Sequence, residues 1–319
     1  MAAGAAAIEP PASAGQVRRF VLEHHPVRGF WTQLEQPWRE LRGLQQHPAA
    51  VDRLLGEAVI ASVLLAATLK FRGTLTLQLQ GPGLVRLLVA QCTHDFGVRA
   101  IAHRRDPGAE PEQAPATCAS ARLPSFAQLV GAGQLTVTIE AEERGARYQG
   151  IVALQGASLA ECLENYFANS EQLPTRIALA ADPRRISGVL VQKTPDAQSQ
   201  GEALALRSQQ AWEDVQANLA AVGSATLQRA DAEQVLRRTC GRHDGRLFAG
   251  NPVRFQCRCS LERVEGLLRA LGAQEVQTVL TEQGSVSVTC DFCGRAWFDA
   301  VDVARLFADG AAAAPDSIN

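Results

Sequence analysis

The stretch Thr74-Leu75-Thr76-Leu77-Gln78-Leu79-Gln80-Gly81-Pro82-Gly83, followed by an apolar run over residues 84–90, decides the fold class. Leu75, Leu77 and Leu79 fall on one face, with threonine and glutamine on the other. This period of two marks a half-buried strand, and Gly81-Pro82-Gly83 supplies a turn back into a second strand. Residues 98–102 extend the same sheet. Upstream, residues 51–70 carry Leu54, Leu55, Ala58, Val59, Ala61, Ser62, Leu65, Ala66 and Leu69 on a broad apolar stripe, which predicts a helix packed on that sheet. Residues 17–22 form a further strand candidate.

Downstream the pattern recurs. Ser125-Phe126-Ala127-Gln128 has capping-box spacing for a short helix ending near Gly131. Residues 135–140 and 148–154 alternate about a turn at Gly145, as hairpin partners do. Ser158-Leu159-Ala160-Glu161 opens another helix, to about Ala168, and residues 175–180 and 188–193 add two strands. Hairpins with helices between them predict an α+β fold with antiparallel sheets. No glycine-rich phosphate loop follows a strand, since Gly81-Pro82-Gly83 lies between two strands and lacks a following Lys or Ser/Thr.

A polar, turn-rich break at 195–201 separates this N-terminal domain from predicted helices at 202–222 and 231–240. The first carries Leu204, Trp212, Val215 and Leu219, a thin stripe interrupted by Arg207, Ser208, Gln209 and Gln210; such a segment is helical only when docked on something apolar. A C-terminal unit then begins near Asn251-Pro252. It reads as a short strand over 253–256, a helix capped by Ser260 and stopped by Gly272, a helix at 274–281, two strand segments around Val288 and Trp297, and a final helix at 300–307. The expected organisation is a disordered arm at 1–16, an N-terminal α+β domain at 17–195, a helical linker at 196–250, a small four-cysteine zinc domain at 251–308 and a disordered tail at 309–319.

The chemistry lies in that last unit. Cys257 and Cys259 form C-x-C, and after thirty intervening residues Cys290 and Cys293 form C-x-x-C. Four thiols in two close pairs supply the tetrahedral thiolate shell that Zn²⁺ favours, in a closed site with no position for substrate. Gly294 tolerates the positive φ of the knuckle turn, and Cys257 and Cys259, two apart on an extended strand, share a face. The same sulfurs can oxidise pairwise to two disulfides. Extended residues two apart have Cα atoms about 6.6–7 Å apart, at the upper limit for a disulfide, so pairing of Cys257 with Cys259 requires the chain to bend. Cys92, Cys118, Cys162 and Cys240 have no partner at ligand spacing and read as structural residues.

Composition bounds the rest. The chain has 319 residues, 46% of them hydrophobic, and a net charge of −2 from 31 basic and 33 acidic side chains. A large core is attainable, and a dedicated nucleic-acid surface is disfavoured. The start, Met1-Ala2-Ala3-Gly4-Ala5-Ala6-Ala7-Ile8-Glu9-Pro10, lacks the basic and apolar regions of a secretory signal, and the apolar run at 58–69 stops at Lys70, short of a membrane span. The expected compartment is the cytoplasm, where clustered cysteines serve as metal ligands or redox sensors rather than structural bridges.

These residues resemble a known family, the redox-regulated bacterial chaperone heat-shock protein 33 (HslO family). The resemblance runs from about Val17 to Phe307. It rests on Val27-Arg28-Gly29, residues 64–71, Leu77-Gln78-Leu79-Gln80-Gly81, Arg147-Tyr148-Gln149-Gly150, Leu163-Glu164-Asn165-Tyr166-Phe167 and Ser170-Glu171-Gln172-Leu173-Pro174-Thr175-Arg176. In the C-terminal unit it rests on Phe255-Gln256-Cys257-Arg258-Cys259-Ser260 and Cys290-Asp291-Phe292-Cys293-Gly294. The arm at 1–16 falls outside it, and the connection at 181–187 is short for the family.

The resemblance implies a holdase that is not an enzyme and needs no ATP. When reduced it holds one Zn²⁺ per chain on Cys257, Cys259, Cys290 and Cys293, and it is then inactive and monomeric. Peroxide or hypochlorous acid, helped by heat, converts these thiols to two disulfides with loss of zinc. The neighbours Cys257–Cys259 and Cys290–Cys293 are the expected pairs, because they have the highest effective concentration. The zinc unit and linker then unfold, and the protein, usually dimeric, holds unfolded clients; neither nucleic acid nor membrane is a partner. Two rival readings are a zinc-ribbon interaction or nucleic-acid module and a thiol oxidoreductase using Cys290 and Cys293. The second would need its C-x-x-C to open a helix, whereas Gly294 and Trp297-Phe298 read as turn and strand.

Overall fold

The computed structural model describes residues 15–105, 123–142, 147–195, 201–283 and 286–297. The chain divides into two compact units, Met1–Gln256 and Cys257–Asn319. Most of the arm, Cys118, the Gly145 turn, the 196–200 break, the helix at 300–307 and the tail lie outside the described residues.

The first unit is built on one ten-stranded sheet. Its strands are β1 (Gly15–Leu22), β2 (Val27–Leu34), β3 (Gly73–Gln80), β4 (Val85–Thr93), β5 (Gly97–Arg104), β6 (Gln134–Ala141), β7 (Arg147–Ala153), β8 (Thr175–Ala181), β9 (Ile186–Lys193) and β10 (Gly245–Phe255). They lie in the order β7-β6-β3-β4-β5-β10-β1-β2-β9-β8. The α+β class is borne out. Every neighbouring pair is antiparallel except one: β10 runs parallel to β5, through Arg254↔Gly97 and Phe255↔Val98.

Helix α1 (Gln36–Gly43) and α2 (Ala49–Thr68) follow β2. The sequence marks α2 as a stripe, but the helix is buried on nearly every side, from Ala50 and Val51 to Leu65 and Ala66. From Ala58 to Ala67 its sequence has no charged residue on any side, and such a helix belongs inside a core. It packs with Trp38, Leu75, Leu77, Leu79, Leu88 and Leu190 in the main cluster. The capping box of α3 (Phe126–Val130) forms as expected, with Ser125 and Gln128 exchanging both bonds, and Gly131 ends the helix at φ 65°. In α4 (Leu159–Tyr166) Ser158 accepts from the Glu161 amide, but the Glu161 carboxylate reaches the amide of Ala157 rather than that of Ser158. A π-helical turn, Phe167–Glu171, follows.

Strands β1, β2 and β9 are apolar on both faces. Val17, Phe30, Leu34, Ile186 and Leu190 join the main cluster, while Phe20, Leu22, Val27, Trp31, Val189 and Val191 point the other way. Period-two geometry makes this unavoidable once both parities carry large side chains. Gly29 lets Phe20 lie across the sheet, since a Cβ there would meet the ring at 2.1 Å.

The second face is covered by α5 (Gly201–Ala221), α6 (Ser224–Arg229) and α7 (Ala232–Cys240), through Trp212, Val215, Leu219, Val222, Leu227, Val235 and Leu236. A polar rim joins the helices to the strands: Lys193 donates to Gln209 at 2.6 Å, Arg176 to Gln216 at 3.0 Å, and Gln33 to the Leu227 carbonyl at 3.4 Å. At one end, Asp214 of α5 pairs with Arg242 and His243, and the His243 ring meets that of His25 edge-on at 5.2 Å. Burial, and then the neighbouring His243 and His24, hold His25 below its ordinary value. A depressed histidine favours the folded state while neutral, and that advantage is lost as pH falls below the unfolded value of about 6.5. The melting temperature is therefore expected to drop between pH 7.5 and 5.5, and His25→Gln to flatten the drop; an unchanged slope in the variant would place the titration elsewhere.

Sequence reading places a short strand at 253–256 inside the C-terminal unit. Instead an eleven-residue strand, β10, closes the sheet of the first unit, pairing with β1 from Gly15↔Val253 to Leu22↔Gly245. Gly250-Asn251-Pro252 has the composition of a loop, which hid the strand. Pro252 is tolerated because β5 pairs only with Arg254 and Phe255, which leaves the other edge of β10 open at that point.

The second unit contains α8 (Leu261–Leu271), α9 (Ala273–Gln283) and a ribbon of β11 (Val288–Thr289) and β12 (Ala296–Trp297). Ser260 caps α8 by accepting from the Arg263 amide, and Gly272 stops it at φ 90°. The unit's core is small: Val264, Leu268, Val276 and Val286 are buried, with Val279, Leu280 and Val288 packed against them.

Candidate metal centre

Cys257 and Cys259 sit in an irregular segment between β10 and α8, not on the extended strand expected from their spacing. The bend brings their sulfurs to 3.4 Å of each other. Cys259 Nα–H donates to Cys257 Sγ, and Arg263 donates to the Arg258 carbonyl at 2.9 Å, holding the bend against α8.

The second pair is placed by the ribbon. Val288↔Trp297 and Thr289↔Ala296 bring its strands together, and Cys290-Asp291-Phe292-Cys293-Gly294 forms the turn between them. The Cys290 amide donates to the Arg295 carbonyl at 2.9 Å, and the Cys290 carbonyl accepts from Cys293 at 3.3 Å and from Gly294 at 2.8 Å. Gly294 has φ 66°, the left-handed conformation expected of it.

The two pairs converge. Cys257 Sγ lies 3.6 Å from Cys290 Sγ, and Cys259 Sγ lies 3.4 Å from Cys293 Sγ. All four sulfurs fall within 4.8 Å of one another, the only such group of potential ligands among the described residues. Zinc–sulfur bonds of about 2.3 Å require a tetrahedral edge of roughly 3.8 Å. The sulfurs are therefore at ligand spacing, and all four are free thiols. Burial opposes ionisation of Cys257, but the Cys259 amide and the neighbouring thiols outweigh it and bring Cys257 down to about 7. Burial and the Cys257 sulfur push Cys259 up to about 12. Four sulfurs at this spacing are a donor set for a divalent ion, which binds them as thiolates and displaces their protons.

The other cysteines stand apart. Cys92 on β4, Cys162 on α4 and Cys240 at the end of α7 are buried. Burial pushes Cys162 up to about 11 and Cys240 up to about 12, and raises Cys92 further. They are poor nucleophiles and poor ligands. The apolar face of β1, β2 and β9 beneath α5–α7 carries no period-two pattern in the sequence. The alternation of Val27, Phe30, Trp31 and Leu34 across both parities was the available signal.

Comparison with known proteins agrees with this architecture. The profile of the family described as Hsp33 protein matches residues 15–298. The 33 kDa chaperonin of Azotobacter vinelandii is 40% identical over 303 residues, covering 94% of this chain and 97% of that one. That of Nitrosococcus oceani is 37% identical over 294 residues, 92% and 94% of the two chains. Among solved structures, the 33 kDa chaperonin (heat shock protein 33 homolog) of Thermotoga maritima superposes with a TM-score of 0.75 at 23% identity, over 93% of this chain and 99% of that one, and so shares the fold. Family profile, full-length relatives and fold coincide: the chain belongs to the Hsp33 family.

Proposed function

We propose that the protein is a redox-regulated holdase chaperone that needs no ATP, is not an enzyme, and binds unfolding client proteins in the cytoplasm. The observation that carries this reading is the four-sulfur cluster, placed in a small unit that directly follows a strand of the main sheet. Among the described residues no helix is long and apolar enough to cross a membrane. The 33 kDa chaperonins named above support the chaperone role.

In the reduced state Cys257, Cys259, Cys290 and Cys293 would hold one Zn²⁺, whose contribution is to neutralise the thiolates and tie the two pairs together. Oxidation removes the donors. Each pair of thiols loses two electrons and two protons to form one sulfur–sulfur bond while one peroxide is reduced to two waters. The segment at 17–195 then supplies the client surface, 196–250 acts as the linker that covers it, and 251–308 is the switch. The reduced form is monomeric and the oxidised form a homodimer. A thiol oxidoreductase is less well supported, since Cys290 and Cys293 lie in the turn between β11 and β12 rather than at a helix N-terminus. Suppression of aggregation of a thermally unfolding client, assayed with and without peroxide, tests the proposal. Equal protection by reduced and oxidised protein would remove the redox switch.

The geometry leaves disulfide pairing open, because the cross-pair distances of 3.4 and 3.6 Å match the 3.4 Å of Cys257 and Cys259. Once the unit unfolds, sequence proximity decides. Peptide mapping of oxidised protein is expected to yield Cys257–Cys259 and Cys290–Cys293; a majority of Cys257–Cys290 would overturn this pairing.

The linker's hold can be tested separately. Trp212 is 5% exposed in the second core, and a Trp→Ala change at such a site costs about 3–5 kcal/mol. Trp212→Ala is expected to give holdase activity at a lower peroxide dose. An unchanged dose–response curve would show that release of α5 does not limit activation.

A further inference from the structure

A cavity of about 370 Å³ opens in the first unit, far in sequence from the cysteines, and its floor is apolar: Leu65, Leu75 and Val137 are buried there. Five of the six stretches that carry the family resemblance in the N-terminal half converge on it. Arg28 comes from Val27-Arg28-Gly29, Tyr148 from Arg147-Tyr148-Gln149-Gly150, Tyr166 from the end of α4, and Phe167 and Glu171 from the π-helical turn. The four-sulfur switch uses none of these residues.

The polar groups are fixed in advance. Gln192 is fully buried; its amide donates to Thr175 Oγ1 at 3.2 Å, and Thr175 donates to the Leu173 carbonyl at 2.9 Å. The oxygen of Gln192 is thereby aimed at Arg28, accepting from Nε at 3.1 Å and from Nη2 at 2.9 Å. A guanidinium has five N–H donors, and these two bonds leave three. Arg28 is half-buried, and among the described residues its charge is faced by no carboxylate at ion-pair distance. At the mouth, Glu171 already accepts from both Tyr148, at 2.8 Å, and Tyr166, at 2.6 Å. A half-buried, oriented cation without a counter-ion beside an apolar floor is half of a recognition site.

We propose that this cavity binds a small amphipathic carboxylate, its head on the free N–H groups of Arg28 and its apolar body against Leu65, Leu75 and Val137. At roughly 30 Å³ per non-hydrogen atom, the volume suits a ligand of up to about twelve such atoms, head included. A carboxylate suits the site because its two oxygens match the guanidinium fork. Because the donor is already oriented by Gln192, little ordering is needed on binding.

The test titrates full-length reduced protein calorimetrically with octanoate and with 1-octanol. Octanoate is expected to bind once per chain, at least about tenfold more tightly than octanol, as a charge-assisted hydrogen bond implies. Arg28→Met should erase that preference while octanol binding stays within about twofold, and Arg28→Lys should retain part of it. Leu69, which lines the cavity and is 38% exposed, provides a variant that avoids the buried network: Leu69→Trp should block both ligands. Equal affinity for octanoate and octanol, undiminished octanoate binding by Arg28→Met, or no effect of Leu69→Trp would overturn the proposal. Stoichiometric displacement of octanoate by an end-capped leucine–phenylalanine hexapeptide would overturn it too, assigning the cavity to unfolded chain instead.

Discussion

Reduced protein is expected to carry one zinc ion per chain, and Cys293→Ser to lose both the ion and the fold of the C-terminal unit. The reason is the size of the unit's core. Four buried aliphatic side chains, Val264, Leu268, Val276 and Val286, contribute about 1.5–3 kcal/mol each. Leu261, Leu267 and Leu271 of α8 are 45%, 52% and 55% exposed and add little. A four-thiolate zinc site contributes about 10–16 kcal/mol at neutral pH, as much as that core or more. Removing one sulfur leaves an open shell and three thiolates in close repulsion. Metal analysis of dialysed reduced protein, with amide exchange in α8 as the structural readout, checks this. Zinc-free reduced protein with a protected α8 would show that the apolar core suffices and that the cluster is not the keystone of the unit.

Much of this architecture is legible in the sequence because local signals and tertiary demands agree. The alternation of Leu75, Leu77 and Leu79, the capping serines Ser125, Ser158 and Ser260, and the apolar run of α2 each specify one element without outside help. The four-sulfur cluster is legible for the same reason: Cys257/Cys259 and Cys290/Cys293 are close in sequence, so only one long-range closure is needed. What stayed hidden depended on distant partners. β2 reads poorly as a strand because its apolar residues occupy both faces, which makes sense only once α2 lies on one side and α5–α7 on the other. β10 looks like a loop at Gly250-Asn251-Pro252 and is held by its pairing with β1, more than two hundred residues upstream. The stripe on α5 looks thin because much of the apolar surface it meets is supplied by Phe20, Trp31, Val189 and Val191. The cavity at Arg28 draws on seven separate stretches and has no local signature.

Oxidation with mild heat is expected to raise amide exchange across α5–α7 and the C-terminal unit while the rest of the main sheet stays protected. The expected coupling runs along the chain. A single residue, Gln256, separates the end of β10 from Cys257. The strand's last two residues are also the only ones that pair with β5. When the thiols oxidise and the unit behind them unfolds, β10 loses its anchor at this end, and the strand continues upstream directly into the turn that follows α7. The helices have little stability of their own at their lengths; they persist by burying Trp212, Val215, Leu219, Val235 and Leu236 against the second face. Their release uncovers Phe20, Leu22, Val27, Trp31, Val189 and Val191 together, a contiguous apolar patch of the kind that captures unfolded chains. The main cluster, with α2 at its centre, keeps its own cover on the opposite face and has no reason to open. β10 separates the possible outcomes: exchange there should rise with α5–α7 if the strand transmits the signal, and lag behind if the helices detach by themselves. Should exchange increase only between Cys257 and Cys293 while client protection still appears, the patch beneath α5–α7 is not the working surface, and the exposed leucines of α8 become the place to look.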